Sequence, residues 1–298
     1  MKKLLASALL GSLIAGPAIA ADLARPVYKA PPPAPVYNWT GCYLGAGAGY
    51  SFYNKDRDIV SNGLFVGAGP NIAIVNASPA GTVLSQNETF GGRGWLVTGQ
   101  VGCDYQFTGP FGGNWVIGAF VDGDWSNARG DESVFVSGWT GQEKLSSSWA
   151  VGGRLGWVVN PTLLAFVSGG FTEARFDQVN YVLGPATALA QGTGLVIAAN
   201  TGATLSAPAQ TLDGFFIGGG AEYQLGWFPG LFWKTEYRYS DYRNSNNNNN
   251  TNNALLCTSC VVQIGVMPGV RNHYTVQTVR SELVWRFNWG GGPVYAKY

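Results

Sequence analysis

The sequence predicts an all-β fold, a transmembrane antiparallel up-and-down β-barrel of eight strands. Three observations lead there: eight stretches of alternating apolar and polar residues, connections that run long, short, long, short between them, and an export signal at the start. The stretches are residues 39–52, 95–107, 115–125, 147–159, 163–176, 212–225, 231–242 and 276–287. Connections after the odd-numbered stretches run roughly 20 to 40 residues and those after the even-numbered ones only a few, as tight periplasmic turns and long extracellular loops require.

Lys2 and Lys3, the apolar run 4–15 and Ala18-Ile19-Ala20 form the charged start, apolar core and small-residue cleavage site of a signal peptide, residues 1–20. Residues 21–37 follow as a periplasmic linker, extended by the five prolines in 25–35, and the barrel itself is expected over 38–287. No later run reaches the ~18 continuous apolar residues of a membrane helix, which leaves export as a soluble protein or insertion as strands.

Composition favours strands in lipid. Gly is 43 of 298 residues, aromatics are 13% and charged residues 12%, against about 25% charged in an ordinary soluble domain. A secreted β-sandwich would need polar outer faces, which these stretches do not supply. Without Lys2 and Lys3 the chain carries 16 basic and 17 acidic residues, so charge offers no case for nucleic acid.

Phase assigns the faces of each stretch. In the second, Trp95, Val97, Val101, Cys103, Tyr105 and Phe107 oppose Thr98, Gln100, Asp104 and Gln106. The fourth turns Trp149, Val151, Leu155 and Trp157 to lipid and Arg154 inward, and the sixth sets Phe215, Ile217, Ala221 and Tyr223 against Glu222 and Gln224. The seventh opposes Leu231, Trp233, Thr235, Tyr237 and Tyr239 to Lys234, Glu236 and Arg238; the eighth opposes Val279, Leu283, Trp285 and Phe287 to Arg280, Glu282 and Arg286. The fifth is apolar on both faces over 163–167, which suggests a bulge there. Aromatic girdles are expected at both lipid interfaces. Tyr37, Trp39, Phe107, Trp115, Trp157, Tyr223, Trp233, Trp285 and Phe287 fall at the periplasmic ends, and Phe52, Trp95, Trp125, Trp149, Tyr239 and Tyr274 at the outer ends.

The inward charges are Arg154, Lys234, Arg238, Arg280 and Arg286 against Asp104, Asp122, Asp124, Glu222, Glu236 and Glu282. An eight-stranded barrel is just wide enough inside for side chains, and unpaired charges there are costly. A cross-linked polar plug is therefore expected; a narrow ion pathway along the same residues is the competing reading.

Ala21-Asp22-Leu23, the Pro-rich lead, Trp39-Thr40-Gly41-Cys42-Tyr43-Leu44-Gly45 and Gly49-Tyr50, with Gly99-Gln100-Val101-Gly102-Cys103-Asp104-Tyr105-Gln106 and the closing Phe287-Asn288-Trp289-Gly290 to Tyr298, resemble the small outer-membrane immunogenic, porin-family β-barrels of Gram-negative bacteria. The resemblance covers nearly the whole mature chain. It implies an eight-stranded barrel akin in architecture to the outer-membrane protein A transmembrane domain, integral to the outer membrane, in contact with its lipid and lipopolysaccharide, and inserted by the barrel-assembly machinery. Such barrels present a C-terminal aromatic as insertion signal. Here Phe287 precedes a periplasmic tail, 288–298, and either Phe287 or Tyr298 could serve.

Four cysteines are an even count in an exported chain, so disulfides are expected. Cys42 and Cys103 lie at similar depth on the lipid-facing phase of adjacent antiparallel stretches and are paired with each other. For Cys257 and Cys260, haem attachment would need His where Val261 stands, structural zinc would need two further ligands beside the sole His273, and a redox dithiol would sit near a βαβ pattern. A local disulfide stiffening the last loop is the reading kept.

Enzyme chemistry finds little footing, because His273 has no suitably spaced nucleophile and acid; no catalytic residue, cofactor or metal is expected. His273 with Tyr274 as a haem or metal grip is a minor alternative. Gly45, Gly47 and Gly49 are read as small residues in a tightly curved strand rather than a phosphate loop, since no helix follows. Loops 53–94 and 177–211 hold runs such as 194–199 apolar enough to extend strands above the membrane or to add a hairpin, making ten strands; Asn246 to Asn250 reads as an exposed polar tract. The expected role is envelope integrity and surface display through the loops. A narrow channel for ions or small solutes is the alternative, and capture of an extracellular ligand such as haem or a host factor by the loops is a third.

Overall fold

The computed structural model describes residues 37–69, 72–109, 112–133, 139–183, 189–190, 195–199, 204–228, 230–243, 256–258, 260–265 and 267–287. The expected signal peptide, nearly all of the linker, the Asn246 to Asn250 tract and the C-terminal tail lie outside the described residues. The strands are β1 (Gly41–Val60), β2 (Phe65–Gly69), β3 (Ile72–Asn76), β4 (Val83–Thr108), β5 (Asn114–Ser133), β6 (Trp139–Asn160), β7 (Leu163–Phe176), β8 (Val179–Leu183), β9 (Leu189–Ala190), β10 (Leu195–Ala199), β11 (Thr204–Ala207), β12 (Gln210–Gln224), β13 (Leu231–Arg243), β14 (Leu256–Cys257), β15 (Val262–Gly265) and β16 (Gly269–Phe287).

Eight of them close a ring. β1, β4, β5, β6, β7, β12, β13 and β16 pair antiparallel in chain order, and β16 returns to β1 from Cys42↔Phe287 to Val60↔Gly269. Closure pairs the backbone groups that an open edge would leave bare, which is what allows a sheet to stand in lipid. On the periplasmic side Pro161 and Thr162 alone join β6 to β7, where the Thr162 N–H donates to Asn160 Oδ1 at 2.9 Å. The β12–β13 turn passes through Gly230, whose φ of 86° suits glycine.

The apolar outer band runs from Trp95 to Tyr105 on β4, from Trp115 to Trp125 on β5 and from Trp149 to Trp157 on β6, the length a tilted transmembrane strand needs, about 9–11 residues. The strands do not stop there. β1 has 20 residues and β4 has 26, so the barrel continues beyond the outer girdle, and its outward positions turn polar at Asn54, Asp56, Arg93, Arg129, Asp131 and Asp213. The expected long second loop is consequently short: β5 and β6 are separated by residues 134–138 only. Val101, Val121 and Val151 stand side by side within the band. Replacing Val121 by Arg is expected to destabilise the barrel by about 2–4 kcal/mol, and Asn127 by Arg, above the girdle, by about 0–1 kcal/mol, in chemical denaturation of the protein in lipid vesicles.

The loop strands leave the ring at eight. β15, β2, β3, β10 and β9 form a separate five-stranded sheet in which β3 of the first loop pairs with β10 of the third, while β8, β11 and β14 continue the wall upward from β6. Three expectations are corrected. The irregularity expected at 163–167 falls on the partner strand, between Val158 and Asn160 of β6, while β7 pairs with β12 without a shift. Its two apolar faces have another cause: Leu164 and Phe166 are buried in the lumen while Val167 faces outward. Trp39 and Tyr274 belong to no girdle, being fully buried inside the barrel.

Candidate functional site

Alternation brings every second residue of the eight strands into the ring, and the stagger between strands sorts these side chains by depth. All eleven charges of the sequence-derived set are buried there. At the periplasmic mouth Trp39 packs against Phe232, with ring centroids 5.0 Å apart, and its backbone N–H donates to Gln106 Oε1 at 2.8 Å. Directly above lies the first ionic layer, two guanidiniums against two carboxylates. Arg154 donates to Asp104 Oδ1 at 2.9 Å and to Glu222 Oε2 at 3.2 Å; Arg286 donates to Glu222 at 2.6 and 2.9 Å and to Asp104 Oδ2 at 2.7 Å. Tyr43 lies beneath both arginines, 4.5 and 4.9 Å from ring centroid to guanidinium carbon.

Phe166 stands between this layer and the next, its centroid 5.4 Å from the Arg154 guanidinium carbon and 5.5 Å from Lys234 Nζ, while Phe120 and Phe216 pack against the cations of the next layer. In the second layer Arg238 grips Asp122 with both terminal nitrogens, at 3.0 and 2.7 Å, and stacks 4.1 Å from the Phe216 centroid. Arg280 bridges Asp122 and Asp124, each at 3.1 Å, to Glu236 at 3.2 Å. Lys234 lies between Glu236 at 2.9 Å, Gln100 Oε1 at 2.9 Å and Glu282 at 3.5 Å, and Gln100 also donates to Glu282. Gly45 and Gly47 face the lumen and make room for this layer: a Cβ on Gly45 would stand 2.8 Å from Gln100 Cγ, and one on Gly47 would stand 2.8 Å from Glu282 Cγ.

A second apolar layer, including Tyr53, Leu145, Phe176, Leu212 and Val276, follows. Above it is a third ionic cluster that the sequence reading missed. Lys55 contacts Glu132 at 2.8 Å and Glu143 at 3.0 Å, Tyr274 donates to Glu143 at 2.7 Å, and Arg57 joins Glu132 to Glu88. The signal was present, since Lys55 and Arg57 keep the phase of Ser51 and Tyr53, and Glu132 that of Asp122 and Asp124. Ending the strands at the girdle concealed it. Tyr181 of β8, above the girdle, donates to Glu132; burial first, and that carboxylate second, push its phenol well above the ordinary range. Lys55, Glu143, Tyr181, Gln210 and Asn272 line a half-open cleft at this outer mouth. Ile59, Phe65, Trp139, Leu205 and Met267 cap the stack.

The cysteines pair as two bridges. Cys42 and Cys103 are register partners on β1 and β4 and form one; Cys257 and Cys260 form the other, between β14 of the wall and β15 of the separate sheet. His273 Nε2 meets Asp241 Oδ2 at 3.2 Å on the outer side, whereas Tyr274 is turned into the lumen, so the two do not share a site.

No family model matches the sequence. The 31 kDa outer-membrane immunogenic protein of Brucella melitensis biotype 1 is 27% identical over 251 residues, 80% of this chain and 86% of the relative, and the protein of the same name from Brucella suis biovar 1 matches to the same extent. Among solved structures, Ail, the attachment invasion locus protein of Yersinia pestis, aligns with 83% of this chain and 99% of its own at 11% identity and a TM-score of 0.33. The outer membrane protease OmpT of Escherichia coli aligns with 83% and 97% at 9% identity and a TM-score of 0.32. The ring described above rests on its own strand registers.

Proposed function

We infer that this integral outer-membrane β-barrel, similar in sequence to the 31 kDa immunogenic proteins of Brucella, anchors and stabilises the envelope with a closed lumen and presents its loop sheet as a platform to the outside. The observation that supports this reading is the stack inside the ring, in which three ionic layers alternate with aromatic and aliphatic ones. An ion moving along the axis would have to part buried pairs such as Arg154–Asp104 and then pass rings such as Phe120 and Phe216 without hydration. Removing one partner of such a buried pair costs about 3–5 kcal/mol, which measures how firmly the pair is held. In the same reading residues 1–20 direct export, 21–37 form a periplasmic lead, 288–298 a periplasmic tail, and the barrel-assembly machinery inserts the chain.

Single-channel recording of the refolded protein in planar bilayers tests the closed lumen, with heat-modifiable gel mobility to establish that the barrel is folded. The expected result is a silent bilayer. Stable conductance steps that change in Arg154→Ala and Glu236→Ala would overturn the inference and make the protein a narrow channel.

A further inference from the structure

The outer wall carries a charge arrangement that the closed lumen does not account for. Arg93 of β4 and Arg129 of β5 are direct register partners, and Arg129 is in turn paired with Lys144 of β6. Lys144 itself faces Asp177, and Arg175 of β7 lies lower on the wall, opposite Ser147. Arg93 and Arg129 both face outward and are exposed, and neither side chain makes a hydrogen bond or ion pair among the described residues. Like charges directly opposite on neighbouring strands destabilise a sheet, so an anion placed between them would relieve the pair. No carboxylate of the wall is within ion-pair distance of either arginine among the described residues, Asp131, two residues from Arg129, included. Asp131 accepts from Gln142 Nε2 at 3.2 Å, Glu173 accepts from Trp149 Nε1 at 3.0 Å, and Asp177 is 3.8 Å from Lys144.

Depth indicates where the anion comes from. Arg93 is two residues above Trp95 and Arg129 four above Trp125, and both indoles are highly exposed, at 68% and 65%. With a rise of ~3.3 Å per residue and a strand tilt of about 45°, the guanidiniums start roughly 5–10 Å above the rings that mark the lipid interface, where headgroup phosphates lie. Below Arg93 the wall is apolar from Trp95 onward, and below Arg129 Asn127 alone precedes Trp125. An occupant that fits has acyl chains against Trp95 and Trp125 and a phosphate in the cationic row.

We propose that Arg93 and Arg129 clamp the phosphate of an outer-leaflet lipid, and specifically a phosphomonoester. A monoester carries close to two negative charges near neutral pH, matching two guanidiniums whose planar forks suit phosphate oxygens; a phosphodiester carries one. The headgroup chemistry is thus that of a phosphomonoester lipid such as a phosphorylated glycolipid, and not that of a phosphodiester such as phosphatidylglycerol.

The test measures binding to the full mature barrel in neutral detergent, read from tryptophan fluorescence, with four probes: lipid A bearing its phosphomonoesters, fully dephosphorylated lipid A, phosphatidylglycerol and inorganic phosphate. Phosphorylated lipid A is expected to bind at least tenfold more tightly than each of the other three, and this preference is expected to vanish in R93Q/R129Q. Both side chains are exposed, so that variant keeps the barrel, which gel mobility verifies. R271Q, which removes an exposed arginine on β16, is expected to keep the preference. Equal loss in R271Q, equal binding of phosphatidylglycerol or inorganic phosphate, or no discrimination between the two lipid A forms would overturn the clamp.

Discussion

Glu222→Gln is expected to lower the unfolding free energy of the barrel in lipid vesicles by about 3–5 kcal/mol, the cost of stranding buried charge. Glu222 is fully buried and holds Arg286 through both carboxylate oxygens and Arg154 through one. The amide that replaces it carries no charge and offers a single acceptor, so Asp104 alone would face two guanidiniums. Adding Arg286→Met to Glu222→Gln leaves one guanidinium and one carboxylate, Arg154 and Asp104, and is expected to recover at least half of the loss. Equilibrium unfolding in urea checks both variants. A single-variant cost below about 1 kcal/mol would mean that water already screens this layer, and the closed lumen would fail with it.

Trp39→Ala is expected to cost about 3–5 kcal/mol in the same assay, as large-to-small changes of buried aromatics do. Its ring fills the periplasmic mouth between Phe232 and Arg286, the guanidinium carbon standing 4.9 Å from its centroid. Trp233→Ala, at a half-exposed position on the lipid side, removes a ring that is not enclosed and is expected to cost markedly less. Equal losses would place Trp39 in the girdle, where its sequence position alone would put it.

That contrast marks how far the chain could be read without coordinates. Face assignment within a strand is a local property: a residue two positions from Arg280 shares its side of the sheet whatever the rest of the barrel does, which is why Glu282 and Arg286 could be placed beside it on the inner face. Pairing Cys42 with Cys103 needed little more, because adjacent antiparallel strands joined through a loop place their like-depth residues together. Trp39 was misplaced because it precedes β1, where no alternation reaches, and the chain can turn inward at the mouth. Lys55, Arg57, Glu132 and Glu143 were missed because the apolar half of the pattern ends at the girdle, while the backbone pairing, which needs no apolar side chains, runs on to Val60 and Ser133.

Period-2 faces, the eight barrel strands and the near balance of inward charge are legible in the chain itself; the long connection expected between β5 and β6 is not, since those strands run on until residues 134–138 alone separate them. Which charge meets which is settled in the folded ring. Arg154 reaches Asp104 across two strand pairings, and Arg286 reaches Asp104 from the other end of the chain, because depth inside a closed ring is set by the accumulated stagger of all eight strands, a quantity that no single stretch of sequence contains. The same closure brought Arg93 beside Arg129 on the outside.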